Sequence, residues 1–145
     1  MIYLYILHFI ADFILQSREM GQKKSTEFKW LAKHLGIQFI IFFIGLIFFD
    51  PIYAFIFATI NSFFHGIIDW NIWKFYKLSV YYRIKKDPEH NLLPENKSEL
   101  EKWQYWKDHL FYTTIGFDQM LHMITLQLTS IIAIIIYTML IGNTN

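Results

Sequence analysis

The sequence contains no cysteine and few charged residues, and each shortage excludes a class of protein. Without cysteine the chain cannot build a disulfide framework, a zinc finger or a thiol nucleophile. Charged residues make up 17% of the 145 residues, below the ~25% typical of soluble domains. A net charge of +1 without a basic face argues against a soluble nucleic-acid binder, so no nucleic-acid partner is expected. The hydrophobic content of 54% excludes a disordered chain.

Long stretches with little or no charge predict an all-α membrane protein. We expect a single membrane domain over residues 1–145, an integral bundle of four transmembrane helices with a cytoplasmic or interfacial helical insert. The helices are predicted at about 1–16, 34–49, 52–73 and 113–141, and the insert at 74–112. A spanning helix needs ~20 mainly apolar residues, which the last two stretches meet easily. The first stretch is the weakest, but it lacks the features of a signal peptide and is expected to be retained.

The distribution of positive charge predicts the orientation of these helices. All 13 Lys and Arg residues fall in two connections, between the first and second and between the third and fourth predicted helices. Both connections lie on one side of a four-helix path, so the positive-inside rule places them in the cytoplasm and both termini outside. The tract at 98–107 predicts an interfacial helix, or a helix packed on the bundle end. A soluble bundle with polar loops is the alternative to this topology.

Three of the predicted membrane helices carry a histidine and an aspartate four residues apart, so that both side chains share one helix face. The pairs are His8 with Asp12, His65 with Asp69, and Asp118 with His122. The order of the two residues reverses in the last helix, which runs in the opposite direction. Every Asp is therefore expected nearer the cytoplasm and every His one turn deeper, in two stacked layers inside the bundle.

Imidazole and carboxylate ligands together suit a divalent metal ion, with zinc favoured and manganese or iron as alternatives. All six paired residues are candidate ligands, and the candidate catalytic residues among them are Asp12, Asp69 and Asp118. The polar residues expected to border and orient the ligands are Gln16, His34, Asn61 and Gln119. Six ligands suit one ion or a bridged pair. The same cluster also suits a proton or ion relay, or a network that only specifies helix packing.

The segment HFIADFILQ, from His8 to Gln16, resembles the opening of a bacterial and phage membrane-protein family catalogued as domain of unknown function 3307. Later motifs of that family are similar to His34, to His65-x-x-x-Asp69 and to Asp118-Gln119-x-x-His122. The resemblance extends from His8 to His122. It implies the same site positions and a multi-pass protein of the bacterial inner membrane, but it implies no reaction.

Three functions are compatible with these features. The leading hypothesis is an intramembrane metal-dependent hydrolase of a lipid or membrane-associated ester or phosphoester. The basic residues that we expect to attract its phosphate are Arg18, Lys23, Lys24 and Lys74. A metal-ion or proton transporter or channel component is the second hypothesis, and a non-enzymatic, phage- or defence-associated membrane module is the third. The lipid bilayer is the expected partner, a lipid substrate belongs to the hydrolase hypothesis, and homo-oligomerisation is left open.

Overall fold

The computed structural model describes residues 1–86 and 107–142, and these ranges are helical without any strand. They contain the helices α1 (Ile2–Phe9), α2 (Arg18–Lys23), α3 (Phe28–Leu46), α4 (Pro51–Lys86) and α5 (His109–Gly142). A wider helical turn at Ile10–Ile14 extends α1. The all-α prediction is therefore confirmed. Residues 98–106 of the predicted interfacial helix lie outside the described residues.

Within the described ranges, three helices are long and apolar enough to cross a membrane, which indicates a membrane protein. They are α3, the Pro51–Arg83 part of α4, and α5. The apolar segment Ile2–Ile14 is shorter, and at ~1.5 Å per residue it covers about 20 Å of a ~30 Å hydrocarbon core. The predicted fourth span over 1–16 is therefore not confirmed. Large apolar side chains on the long helices are exposed, among them Ile44, Phe55 and Ile131, as expected for contact with lipid chains.

The helix α4 differs most from its predicted bounds. We expected it to end at about 73 and a cytoplasmic insert to begin at 74, but the helix continues to Lys86. The reason is packing, because Tyr76 and Val80 are buried one turn apart on the extended part of the helix. Leu110 and Phe111 at the start of α5 pack against them. A second, smaller apolar cluster therefore holds the helix together beyond the predicted membrane segment.

Asp108 anchors the start of α5, which begins earlier than the predicted residue 113. Its two carboxylate oxygens accept hydrogen bonds from the Arg83 guanidinium at 3.1 and 2.6 Å. The Tyr76 hydroxyl and the backbone N–H of Leu110 also donate to this carboxylate, at 2.8 and 3.0 Å. The hydrogen bonds from Arg83, followed by that from Tyr76, lower the pKa of Asp108 against the opposing effect of burial. The ends of α4 and α5 are thereby joined.

The turn between α3 and α4 is built by Asp50. Its Oδ1 accepts a hydrogen bond from the backbone N–H of Tyr53 at 2.8 Å, which caps α4, and Pro51 occupies the first helical position. Its Oδ2 accepts a hydrogen bond from the Tyr137 hydroxyl at 2.9 Å. The backbone hydrogen bond from Tyr53 is the main cause that lowers the pKa of Asp50. One carboxylate thus starts α4 and ties the far end of α5 to it.

Side-chain contacts fix the helix directions on which the predicted layers depend. α5 runs antiparallel to both α4 and α1, so α1 and α4 run the same way. The pairs that establish this are Tyr53 with Ser130 and Tyr76 with Asp108 for α4, and Tyr5 with Gln127 and His8 with Gln119 for α1. The reversed order of Asp118 and His122 therefore places like residues at the same depth.

The apolar core lies among α1, α3, α4 and α5, on the side of the polar cluster away from α2. Its buried members include three alanines, whose small side chains allow the long helices to approach closely. They are Leu4, Leu7, Phe42, Leu46, Ala54, Phe57, Ala58, Leu126 and Ala133.

Gly45 allows α1 to pack tightly on α3. A Cβ at this position would lie 2.6 Å from Leu7 Cδ1, so a larger residue would displace the Leu7 side chain. The Tyr3 hydroxyl also donates a hydrogen bond to the Gly45 carbonyl oxygen at 2.8 Å. This close contact holds the short helix against the bundle and brings His8 and Asp12 to its interior.

Candidate metal centre

Asp12 lies in the wide turn that ends α1. The backbone N–H of Leu15 donates to the carbonyl oxygen of Ile10, five residues earlier, at 3.0 Å. This π-helical bond adds a residue to the turn, and such turns are frequent at functional sites. The Asp12 side chain is buried within the bundle.

Four ligand-type side chains converge between α1, α3 and α4. We call Asp12, His34, His65 and Asp69 the His/Asp quartet. His34 Nε2 lies 3.0 Å from Asp12 Oδ1 and 3.1 Å from Asp69 Oδ2. His65 Nε2 lies 2.9 Å from His34 Nε2, 3.1 Å from Asp69 Oδ2 and 3.6 Å from Asp12 Oδ1. All four side chains are buried.

The spacing of the quartet can be compared with that of metal ligands. Zinc bound tetrahedrally at ~2.0–2.1 Å holds its ligand atoms about 3.4 Å from one another. The five distances from a histidine Nε2 to another quartet atom range from 2.9 to 3.6 Å. Two imidazole nitrogens and two carboxylate oxygens at this spacing form a donor set that suits zinc, manganese or iron.

A second group of ligand-type residues shares Asp12 with the quartet and adds Asp118 and His122 from α5. His122 Nε2 lies 3.6 Å from Asp118 Oδ1, and neither atom has a hydrogen-bond partner among the described residues. His122 Nε2 also lies 3.6 Å from Asp69 Oδ1. Two neighbouring groups with a common carboxylate are the arrangement found in bridged two-metal sites.

Three imidazoles form the layer that the reversed residue order predicts. The ring centroids of His65 and His122 lie 3.9 Å apart in a stacked arrangement. The His8 ring lies 5.4 Å from that of His65 and 5.1 Å from that of His122. His8 lies farther from the carboxylates than the other imidazoles of the site, because its Nε2 is 3.9 Å from Asp12 Oδ2.

Lys24, which follows α2, was expected only to attract a substrate phosphate, but it lies within the buried cluster. Its Nζ lies 2.8 Å from Asp69 Oδ1 and 3.4 Å from both Asp12 Oδ1 and His34 Nε2. Burial lowers the pKa of Lys24, but the negative charges of Asp69 and Asp12 outweigh burial and raise it overall. The buried side chain therefore carries a positive charge.

With neutral imidazoles, the formal charges of the buried cluster do not cancel. Asp12, Asp69 and Asp118 contribute −3 and Lys24 contributes +1, which gives −2 when the imidazoles are neutral. Uncompensated buried charge is costly in a low-dielectric interior. One divalent cation brings this sum to zero.

Two glutamines support the ligand-type residues. The Gln119 amide nitrogen donates to Asp12 Oδ2 at 3.1 Å and to Asp118 Oδ2 at 3.3 Å, and its Oε1 lies 3.4 Å from His8 Nε2. Gln119 therefore lies where an orienting residue was expected. Gln38 was missed by sequence reasoning, although its amide nitrogen lies 3.3 Å from His65 Nε2.

The other three residues that were predicted to border the ligands lie in different surroundings. His34, expected only to border the site, lies at its centre. Asn61 is buried, and its amide nitrogen has no hydrogen-bond partner in the described part of the chain. Gln16 lines a cavity beside the cluster instead of bonding to the ligands.

That cavity, with a volume of about 320 Å³, connects the cluster to the basic end of the bundle. Asp12, Asp118, Gln119 and Lys24 line its inner part. The quartet residues on α3 and α4 lie behind them. A small molecule that entered the cavity would therefore meet carboxylates from α1 and α5 together with the Lys24 ammonium.

Comparison with known proteins gives a family but no function. No curated protein and no solved structure matches this chain. The model of the family described as protein of unknown function (DUF3307) matches residues 1–144. Because the match covers nearly all of the sequence, the chain belongs to the DUF3307 family.

Proposed function

We propose that the His/Asp quartet binds a divalent metal ion and that the protein is a metal-dependent hydrolase embedded in the membrane. Its substrate is a lipid or a membrane-associated ester or phosphoester. The observation that carries this proposal is the convergence of four buried ligand-type side chains, whose histidine Nε2 atoms lie 2.9 to 3.6 Å from the other ligand atoms. The adjoining cavity supports it, as does the cluster charge of −2 that results when the imidazoles are neutral.

The metal ion would act as a Lewis acid in this proposal. A divalent ion lowers the pKa of a bound water and polarises a carbonyl or phosphoryl oxygen. Asp12, His34, His65 and Asp69 would hold the ion. Zinc is the favoured ion, with manganese and iron as alternatives.

Asp118 is the general base in this proposal. It does not belong to the quartet, it lines the cavity, and its Oδ1 has no hydrogen-bond partner among the described residues. The water oxygen attacks the carbonyl carbon or phosphorus, and Asp118 Oδ1 takes the water proton. The bond to the leaving-group oxygen then breaks, and that oxygen takes the proton from Asp118. Lys24 lines the same cavity and stabilises the negative charge that develops on the substrate oxygen.

The proposed site lies near the cytoplasmic face of the bacterial inner membrane. Basic residues cluster at one end of the bundle, on the connection from α1 to α3 and on the last turns of α4. This clustering supports the proposed orientation. The positive-inside rule assigns such an end to the cytoplasm, which leaves both termini outside.

An activity assay with matched variants tests the hydrolase proposal. Protein purified in mild detergent and loaded with zinc or manganese is assayed on carboxylic-ester and phosphoester lipids. We expect Asp118→Asn to lower kcat by ~10²–10⁴-fold, as for loss of a general base. The ion of the quartet should remain bound in this variant, because Asp118 lies outside the quartet.

Asp50→Asn is the matched control for this substitution. Asp50 lies at the other end of the bundle, and asparagine also caps helices well. Full activity in Asp50→Asn with loss in Asp118→Asn would support the proposal. Equal activity in wild type and Asp118→Asn, or no hydrolysis of any ester by the metal-loaded wild type, would contradict it.

A further inference from the structure

We infer that the cavity beside the quartet is a binding site for a phosphate-bearing lipid, with the phosphate held by Lys77 and Arg18 and the apolar part held by an aromatic wall. This inference rests on the proposed function, because it specifies the substrate class of the same site. It narrows the substrate from esters in general to an amphiphile with an anionic headgroup.

Two cations line the outer part of the cavity without an acidic partner in the described part of the chain. Lys77 is half-buried, and its ammonium donates only to neutral oxygens, Ser25 Oγ at 3.0 Å and the Gln22 carbonyl at 3.2 Å. Arg18, the first residue of α2, is exposed and lines the same cavity. Cations with unsatisfied charge that converge on a cavity favour an oxyanion ligand.

The other basic residues nearby are paired with acidic residues or do not line the cavity. Lys23 was expected to attract the substrate, but its ammonium pairs with Glu19 at 3.0 Å and with Glu27 at 3.8 Å. Lys74, expected to do the same, lies over the Trp70 ring at 3.7 Å and does not line the cavity. Lys24 lines the cavity and pairs with Asp69, and the proposed function assigns it to the reacting oxygen and not to the headgroup.

The apolar wall indicates that the anion is attached to a hydrocarbon group. Trp73, Phe111, Ile115 and Phe13 line the cavity together with the ring of Tyr76. Trp and Tyr are typical of the membrane interface, where one end of a ligand is apolar and the other is hydrated. A free inorganic anion would make no use of this wall, whereas a phospholipid would cover it.

Calorimetric titration of metal-loaded protein in detergent tests the inference. The ligands are dihexanoyl phosphatidic acid, dihexanoylglycerol, which lacks the phosphate, and inorganic phosphate, which lacks the chains. We expect phosphatidic acid to bind about tenfold more tightly than either of the others, as expected when charge-assisted bonds and apolar contact act together. Equal affinity for inorganic phosphate, or for the uncharged lipid, would overturn the inference.

Two variants on the same helix locate the headgroup. Lys77→Gln should weaken phosphatidic acid binding by about tenfold, because it removes the charge but keeps a donor for Ser25. Lys74→Gln should change it by less than about twofold, since an exposed charge outside the cavity contributes little. Arg18→Gln, an exposed position where folding is not at risk, should also weaken binding. Equal effects of Lys77→Gln and Lys74→Gln would overturn the inference.

The metal content of the same samples separates this inference from the proposed function. Bound metal without preference for phosphatidic acid would overturn the lipid site and leave the metal centre standing. A preference for phosphatidic acid in wild-type protein that binds no metal would support the lipid site and contradict the metal-dependent hydrolase.

Discussion

Lys24 Nζ lies 2.8 Å from Asp69 Oδ1 and so joins the connection after α2 to the middle of α4. Both side chains are buried. This ion pair brings a positive charge from the basic connection into a cluster of histidines and aspartates. It makes the fold of residues 18–27 part of the candidate site, and it fixes the charge that a bound ion has to balance.

Replacing Lys24 should therefore destabilise the metal-free protein. Lys24→Met leaves Asp69 and Asp12 without their buried cation, and breaking such a pair costs ~3–5 kcal/mol. The neighbouring Lys23→Met removes exposed ion pairs, which contribute ~0–1 kcal/mol. Thermal unfolding in detergent with a chelator measures both variants.

The same two variants respond differently to metal. Lys24→Met changes the cluster charge from −2 to −3, so a divalent ion should raise its melting temperature more than that of the wild type. Lys23→Met should follow the wild type. The positive charge assigned to Lys24 would be contradicted if Lys24→Met were as stable as Lys23→Met and if metal raised its melting temperature no further.

Gln119 should set the affinity of the site without being a ligand. Its amide joins Asp12 to Asp118, so Gln119→Leu should lower metal affinity by ~10–100-fold, as typically found when a residue that orients ligands is lost. Gln127→Leu is the control, because Gln127 lies on the same helix and bonds only to the exposed Tyr5 hydroxyl at 2.6 Å. Competition with a chelator of known affinity measures both. Equal metal affinities in the two variants would contradict a role of Gln119 in orienting the ligands.

The six paired residues could be predicted because their position depends on local rules. Spacing of four residues puts His65 and Asp69 on one face of any α-helix. Reversal of the order in α5 then predicts the depth of Asp118 and His122, given the antiparallel path. The structure brings all six together, as these rules require.

Residues whose place depends on tertiary packing could not be found in this way. In the sequence, Lys24 is one of five basic residues between the first two predicted helices. Only the fold of α2 shows that its side chain is buried. Gln38 lies one turn beyond His34 in an apolar helix and carries no motif. The extension of α4 depends on Tyr76 meeting Phe111, two residues far apart in the sequence.

The contact between Arg83 and Asp108 predicts a specific dependence of stability on pH. The pKa of Asp108 is lowered in the folded protein, chiefly by Arg83, relative to ~3.9 in an unfolded chain. Its contribution to stability is therefore complete above about pH 4 and is lost as the pH falls through the folded pKa. Melting temperatures of wild type and Asp108→Asn should differ at pH 6 and converge as the pH is lowered below about 4. A difference that stays constant over this range would contradict the assignment.

The metal content of purified protein tests the central claim most directly. Wild-type protein, purified in mild detergent without a chelator or a histidine tag, is analysed by elemental mass spectrometry beside three variants. His65→Gln and Asp69→Asn each remove a quartet ligand, and His109→Gln removes an exposed histidine at the start of α5. We predict about one or two ions per chain in wild type and His109→Gln, and loss of metal from both quartet variants. Well-folded wild-type protein that holds no zinc, manganese or iron after incubation with each, or quartet variants that keep the wild-type content, would contradict the metal centre.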